Sequence, residues 1–401
     1  MHDYLFSADP VRLAFILGII ASMLYYERRH ITTGSIVVPG YVALFVMQPS
    51  VLVATFANAL LCYWLINRVL SRRVLLYGRS KFTVLAITSM ALQAVMLKLS
   101  PSGSWLWEAD IPLLVGIGYV IPALIAHDMA RQGIRKTIAA VLTTGMLVVV
   151  PVVLALLFVS NVQADSLLVS FESVLLPPDW IPFAVVLSAT ASWGLLSNYG
   201  LRQGGFVGGA FVGLLWANPG QVLYVMVVAV ITWAIVTRVL MPHIILFGRR
   251  KFAAMLMIAA VLSWIGMWVG TRYLGLNPGA YVTITAIPLT PLFVPGLLAN
   301  DMERASPPRV LVGSTLGALF VIPTTMLVME LSGARNVGDA GTLALASAVT
   351  TAIIFGPQLA QIAAALYHRL TPIAADFAYQ ALGREPQPAY AATGRRSSRK
   401  G

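Results

Sequence analysis

Two short basic runs carry the most specific chemistry in this chain. Tyr77-Gly78-Arg79-Ser80-Lys81 and Phe247-Gly248-Arg249-Arg250-Lys251 each place a glycine ahead of clustered Arg and Lys. Guanidinium and ammonium groups hold carboxylates through charge-assisted hydrogen bonds. Arg79, Lys81, Arg249, Arg250 and Lys251, joined by Arg68 and Arg238, are therefore candidates for gripping an acidic protein surface or a carboxylate-bearing chain. The same charge has a second reading, as the Lys and Arg that fix cytoplasmic loops of a membrane protein. A second group is Pro39-Gly40 within Ile36–Tyr41, Pro122, and Pro295-Gly296, all inside apolar runs. Proline removes a helix hydrogen bond and glycine relaxes the backbone. The amides freed at such a break can attract carboxylates, and a simple kink is the plainer outcome. Gln48-Pro49 and Asn218-Pro219 mark further turns.

The remaining polar candidates are Glu27, Asp128 and Asp301. Glu27 stands beside Arg28 and Arg29 and is expected to pair with them. No catalytic residue is expected. Cys62 is the one cysteine, and His30 and His127 have no second ligand at metal spacing, so no metal is expected. A GxxxxGK[ST] phosphate loop is absent from the sequence, no other cofactor is expected, and nucleotide hydrolysis falls to a partner.

These residues are embedded in an apolar chain. Of 401 residues, 58% are hydrophobic and 10% charged, and the mean hydropathy is +0.82. Soluble domains carry about 25% charged residues, so the surface points to a bilayer. The net charge of +12 does not signal nucleic acid, because the basic residues sit in short gaps between apolar runs without interleaved aromatics. The N-terminus, MHDYLFSADP, has acids where a signal peptide has bases, so the first run is expected to be a retained span.

The expected fold is all-α: a polytopic transmembrane helical protein of about thirteen segments, in two parallel six-segment repeats plus one C-terminal span. In the first half the segments are Val11–Tyr26, Ile31–Met47, Val51–Ile66, Phe82–Leu97, Ile111–Ala126 and Thr137–Val159. In the second they are Ile181–Leu196, Phe206–Trp216, Val222–Leu240, Phe252–Val269, Tyr281–Ala299 and Val310–Val328, and a last run is Gly341–Tyr367. Ile31–Met47 and Phe206–Trp216 are short enough to be re-entrant. Residues 1–160 form the first membrane repeat, 161–180 a periplasmic connector, 181–331 the second repeat, 332–367 the extra helix, and 368–401 a basic, partly disordered cytoplasmic tail that can also meet lipid headgroups. Alternating the loops puts all basic residues except Arg12, Lys98, Arg272 and Arg335 on one side, and acids such as Glu108, Asp165 and Glu330 on the other. That sets the N-terminus outside and the C-terminus in the cytoplasm of a bacterial inner membrane.

The repeat is visible in the letters. VLLYGRSKF ending at Phe82 matches IILFGRRKF ending at Phe252, a spacing of 170 that also carries Gln48-Pro49 onto Asn218-Pro219, Arg68 onto Arg238 and Gly34 onto Gly204. YVIPALIAHDMAR then matches LFVPGLLANDMER at a spacing of 173, with Pro122 on Pro295, Asp128 on Asp301 and Arg131 on Arg304. An even number of spans per copy makes the copies parallel, and parallel repeats commonly place a functional path at their interface. The copies differ: Glu27 becomes Ser197, and Val38-Pro39-Gly40 becomes Gly208-Gly209-Ala210.

GSIVVPGYVALFVMQP, LYGRSKF, FGRRKFAAMLM and FVPGLLAND together resemble the membrane C subunit of the poly-γ-glutamate synthase, or capsule biosynthesis, complex. The resemblance covers roughly Val11–Leu157 and again Ser188–Leu331, so the chain looks like a tandem duplication of a subunit about one copy long. It implies a non-catalytic integral membrane subunit that serves polymer synthesis and export. The implied partners are a cytoplasmic ATP-dependent, Mur-ligase-like amide ligase, other membrane subunits, the anionic polymer and membrane lipid. A secondary transporter with parallel repeats and a purely structural anchor are the alternatives. No apolar run has a charge near its middle, which weighs against an ion-coupled transporter.

Overall fold

Long runs without charged residues, rich in Leu, Ala, Val and Met, have one way to satisfy their backbone in lipid, which is the α-helix. The computed structural model describes residues 8–46, 49–73, 78–99, 120–159, 176, 180–217, 219–273, 290–333 and 339–381. Among these residues there is no strand. The first six helices are α1 (Ala8–Arg29), α2 (Val38–Leu44), α3 (Pro49–Trp64), α4 (Gly78–Leu99), α5 (Ile121–Gln132) and α6 (Ile134–Val159). The next six are α7 (Ile181–Tyr199), α8 (Gly208–Leu214), α9 (Pro219–Ala234), α10 (Gly248–Tyr273), α11 (Thr290–Ala305) and α12 (Pro307–Leu331), and α13 is Ala340–Ala381.

Neighbours recur at matching places. In the first six helices α2 packs on α1 and α6, and α3 on α4 and α5; in the next six α8 packs on α7 and α12, and α9 on α10 and α11. Among the described residues the main packing between the sets is α1 with α10 and α4 with α7, and the Phe15 ring of α1 also meets Phe293 of α11. The core at the first crossing joins Phe15 and Ile19 of α1 to Leu256 and Ala260 of α10, with Val148 of α6 behind them. All of this lies in one unit, residues 1–350, and residues 351–401 form a second.

Among the described residues six helical stretches are long and apolar enough to cross a membrane: Pro49–Arg72, Ile134–Leu154, Ile181–Tyr199, Pro219–His243, Pro307–Leu331 and Ala340–Ala364. Val53, Leu147, Leu223 and Leu345 expose their side chains on them, as a lipid-facing surface requires. At about 1.5 Å per residue, the seven residues of α2 and of α8 reach only about 10 Å of a core about 30 Å thick. They are buried half-helices, and the expected segments at Ile31–Met47 and Phe206–Trp216 do not span.

The two half-helices are seated by different chemistry at matching positions. A Cβ on Gly18 would lie 2.5 Å from the Gly40 amide nitrogen, and one on Gly40 would lie 2.7 Å from the Ala14 carbonyl oxygen, so α1 and α2 cross with their backbones touching. At the corresponding place α8 is held by a hydrogen bond, the Ala210 N–H donating to Ser188 Oγ at 3.0 Å. Both long helices α3 and α9 widen at their ends into a π turn, Leu65–Val69 and Ile235–Leu240. There Asn67 Nδ2 donates to the Tyr63 carbonyl and Thr237 Oγ1 to that of Trp233 (3.1 and 2.6 Å), serving carbonyls that the wider turn loosens.

Proline acts mostly as a starter. Pro39 and Pro122 occupy the first turns of α2 and α5, and Pro49 and Pro219 open α3 and α9, where a missing N–H costs nothing. Pro295 alone of the matched pair lies inside its helix, with Gly296 beside it closely packed on Leu256 of α10. Gln48 and Asn218 lie outside the described residues.

Candidate cleft between the two six-helix sets

The basic runs, read from sequence as loops, instead begin helices. Gly248 has φ +54 and opens α10, so Arg249, Arg250 and Lys251 form the first helical turn; Gly78 opens α4 likewise. Cations at a helix N-terminus oppose its dipole, so local stability does not explain these residues and their partners must. Arg250 donates from Nε to Glu27 Oε1 at 2.6 Å and from Nη2 to Oε2, a two-pronged pair spanning 223 positions. Glu27 thus takes Arg250 from α10, correcting the expectation that it pairs with Arg28 and Arg29; α10 lies against the end of α1 and offers a planar fork that adjacent residues on one helix cannot. That pair holds the Glu27 carboxyl below the ordinary carboxylate range, chiefly through the hydrogen bond. Lys251 Nζ donates to Glu303 Oε2 of α11 at 2.6 Å.

Arg249 turns inward. Its guanidinium stacks over Tyr26, 5.0 Å from the ring centroid, and its Nε and Nη2 are buried without a hydrogen-bond partner among the described residues. Burial, first of all, pulls its pKa down. It lines a cleft of ≈170 Å³ with His127, Asp128 and Arg131 of α5, Phe252 of α10 and the α1–α2 connection at Gly34–Ile36. Asp128 is 4% exposed, and its Oδ2 is also buried and unpartnered. Arg131 Nη1 stands at the rim, 4.0 Å from Asp128 Oδ1. His127, whose Nδ1 is unpartnered, is pushed toward the neutral form by burial above all, with Arg131 and Lys81 adding to it against Asp128.

The matching aspartate is fully engaged. Asp301 accepts from Arg202 Nη1 at 3.3 Å and from the Gly205 N–H at 2.9 Å. The position matching Arg202 holds Thr32, whose N–H and Oγ1 both donate to Gln132 Oε1 (2.8 and 2.9 Å). So the first set of helices closes this corner with a neutral Thr32–Gln132 clasp and leaves Asp128 only the long rim-side contact to Arg131 of its own helix, while Arg249 of the other set lines the same cleft.

Of the other sequence candidates, Arg68 and Arg238 are exposed on the π turns. Arg238 lies 5.9 Å over the Trp233 ring in a wider open groove of ≈430 Å³ at the α11–α12 junction. Lys81 is partly buried, and Arg79 is placed in the first turn of α4. Among the described residues no group of three His, Cys, Asp or Glu stands together to hold a metal. The structure therefore joins Arg249 and Asp128 in one cleft, pairs Arg250 with Glu27 and Lys251 with Glu303 beside it, and leaves Arg68 and Arg238 apart on the π turns. Sequence reasoning missed that Arg250 and Lys251 spend their charge inside the chain. A signal was present: Glu27 and Arg250 both become serine at their matched positions, Ser197 and Ser80.

Helices of this length and apolarity around two buried half-helices define a polytopic helical membrane protein. A family model described as "Capsule biosynthesis CapC" matches residues 17–138 and again 184–311, and the chain belongs to this family. It is similar to the "PGA biosynthesis protein CapC" of Bacillus subtilis (strain 168), 33% identical over 138 residues that cover 34% of this chain and 89% of that protein. It is similar also to the "Capsule biosynthesis protein CapC" of Bacillus anthracis, 34% identical over 134 residues, 33% of this chain and 87% of that one. No solved structure matches.

Proposed function

We propose that this chain is the integral membrane subunit of a complex that makes and exports poly-γ-glutamate or a related anionic poly-amino-acid. In this reading it is a tandem duplication of the family unit, lies in a bacterial inner membrane with its C-terminus in the cytoplasm, docks a Mur-ligase-like amide ligase and helps pass the polymer across. The observation that carries it is the family match, which falls on both sets of six helices rather than on one. The chemistry agrees. The sequence has no phosphate loop, so the energy of amide formation comes from a partner. Arg249 keeps unpartnered donors where the two sets meet, and a carboxylate-rich polymer would satisfy them.

The test is Arg79→Gln combined with Arg249→Gln in cells that depend on this chain for polymer. A control moves the same charges elsewhere in the two basic runs. Both versions should insert, because many other basic residues maintain topology. The reading expects the double variant to lose polymer production or ligase co-purification, with no rescue by relocated charge. Full polymer yield in the double variant, or full rescue by the control, refutes the binding role of these residues. Unchanged polymer yield on deleting the whole chain refutes the functional reading itself.

A further inference from the structure

The cleft presents two complementary unmet demands within one small volume. Arg249 offers Nε–H and Nη2–H donors, and Asp128 offers the acceptor Oδ2, all buried and without partners among the described residues. A bare carboxylate would satisfy Arg249 but leave Asp128 buried and repelled. A bare ammonium would satisfy Asp128 and leave Arg249. Either outcome strands a buried charge, the costlier half of the exchange. A ligand with an ammonium and a carboxylate on one carbon answers both demands, and that head group enters with no net charge. At about 30 Å³ per water, ≈170 Å³ holds roughly five or six waters, the bulk of a small head group and far less than a folded chain.

We infer that the cleft between α5 and the first turn of α10 binds an α-amino-carboxylate head group, its carboxylate on Arg249 and its ammonium on Asp128. His127, which burial above all pushes toward the neutral form, adds little competing charge, and Arg131 at the rim adds attraction for the carboxylates that follow. The inference rests on the proposed function for the ligand's identity. In a γ-linked glutamate chain each amide uses the side-chain carboxyl. The amino-terminal residue therefore keeps its α-amino and α-carboxylate groups on one carbon. An α-linked chain has no such residue, because its first α-carboxyl is already in an amide. The cleft thus reads linkage, and free glutamate shares the head-group chemistry with the γ-linked end.

The experiment is equilibrium binding to the purified full chain, in nanodiscs of phosphatidylcholine and phosphatidylglycerol so that no primary-ammonium lipid competes. The probes are γ-glutamylglutamate, its N-acetyl form, α-glutamylglutamate, free glutamate and phosphoethanolamine. The γ-linked dipeptide should bind on the order of tenfold or more tighter than the α-linked and N-acetylated ones, the range for losing one charge-assisted bond. Asp128→Asn should erase that discrimination, and Arg249→Gln should abolish binding of the γ-linked dipeptide. Tighter binding of the γ-linked dipeptide than of free glutamate assigns the site to the polymer end, and the reverse assigns it to the monomer; both support the head-group site. Equal binding of the γ-linked, α-linked and acetylated probes overturns it, as does phosphoethanolamine binding as well as the γ-linked dipeptide. The wild-type comparison stands even if a variant misfolds. These failures leave the polymer reading intact, since that reading falls only on polymer yield in cells.

Discussion

Asp128 and Asp301 occupy matching places and should respond in opposite ways to the same substitution. Asp301 is 5% exposed, accepts from Arg202 and from the Gly205 amide, and anchors the α7–α8 connection to α11. Breaking a buried ion pair by removing one partner costs about 3–5 kcal/mol. The Arg202 side chain is 25% exposed, so water recovers part of that, and we expect Asp301→Asn to cost about 2–3 kcal/mol. Asp128 is as deeply buried, but its Oδ2 has no partner and the nearest cation is 4.0 Å from Oδ1 at the exposed rim. Neutralising it removes a desolvation cost while losing little attraction, so Asp128→Asn should change stability by less than about 1 kcal/mol, in either direction. Thermal unfolding in one detergent, followed by intrinsic Trp fluorescence, reads both variants. At about 2.1 cal/mol/K of unfolding entropy per residue, a chain of this size shifts by about 1–2 °C per kcal/mol, so Asp301→Asn should lower the midpoint by roughly 2–5 °C and Asp128→Asn by little or nothing. Equal falls in the two variants would refute the reasoning that Asp128 is held at a cost to stability and Asp301 is not.

Ser306, between α11 and α12, is held at φ +99, where the matched residue is Gly133 at φ +96. Ser306→Gly should therefore raise the midpoint, by about 1 kcal/mol of relieved backbone strain, and Gly133→Ala, which meets no atom within 4 Å, should lower it through φ alone. The Glu27 carboxyl has its pKa lowered by Arg250, so the pair stabilises above the ordinary carboxylate pKa and is lost as pH falls through the lowered one. The wild-type advantage over Glu27→Gln in thermal midpoint should fade on acidification and with added salt, and an advantage that grows on acidification would contradict it. Reporter fusions after Gly401 and within residues 165–179 should give opposite signals if the C-terminus is cytoplasmic.

Most helices were legible because an apolar run in lipid has only one backbone solution. Ile181–Leu196 becomes α7 with Gly200 in the left-handed region just past its end, and Thr137–Val159 gains only its first turn to become α6. The half-helices were legible as short runs but not as seats. Whether residues 18 and 40 meet as two bare glycines, or residues 188 and 210 as a hydroxyl and an amide, depends on which helices cross, and no local pattern states that. Charge was the least legible. Its side of the membrane follows from counting, but its partner follows from the fold: Arg250 reaches across 223 positions to Glu27 while Arg28 and Arg29 stand next to it in the chain. The inward turn of Arg249 beside two neighbours that pair outward is likewise a product of where α5 and Tyr26 lie, and three adjacent cations look alike in sequence.

The two sets of helices differ at the corners that hold the matched aspartates. One corner pairs Arg202 with Asp301 and Lys251 with Glu303, and is closed by charge. The other has Thr32, Lys81 and Ala130 at the positions matching Arg202, Lys251 and Glu303, so its aspartate keeps only the long contact to Arg131, has Oδ2 unpartnered among the described residues, and shares its cleft with a guanidinium borrowed from the opposite set. Glu27–Arg250 then ties the borrowed helix in place on the open side, where the closed side has only Ser197 and Ser80. A purely structural duplication has no reason to keep an aspartate oxygen and two guanidinium nitrogens buried and unpartnered among the described residues in one cleft of ≈170 Å³ while Glu27–Arg250 and Lys251–Glu303 pair beside it. Stability would be served by an arginine at position 32, as at position 202. Its absence argues that the open corner is held for a ligand, and that Thr32→Arg should close it and abolish binding while raising the thermal midpoint.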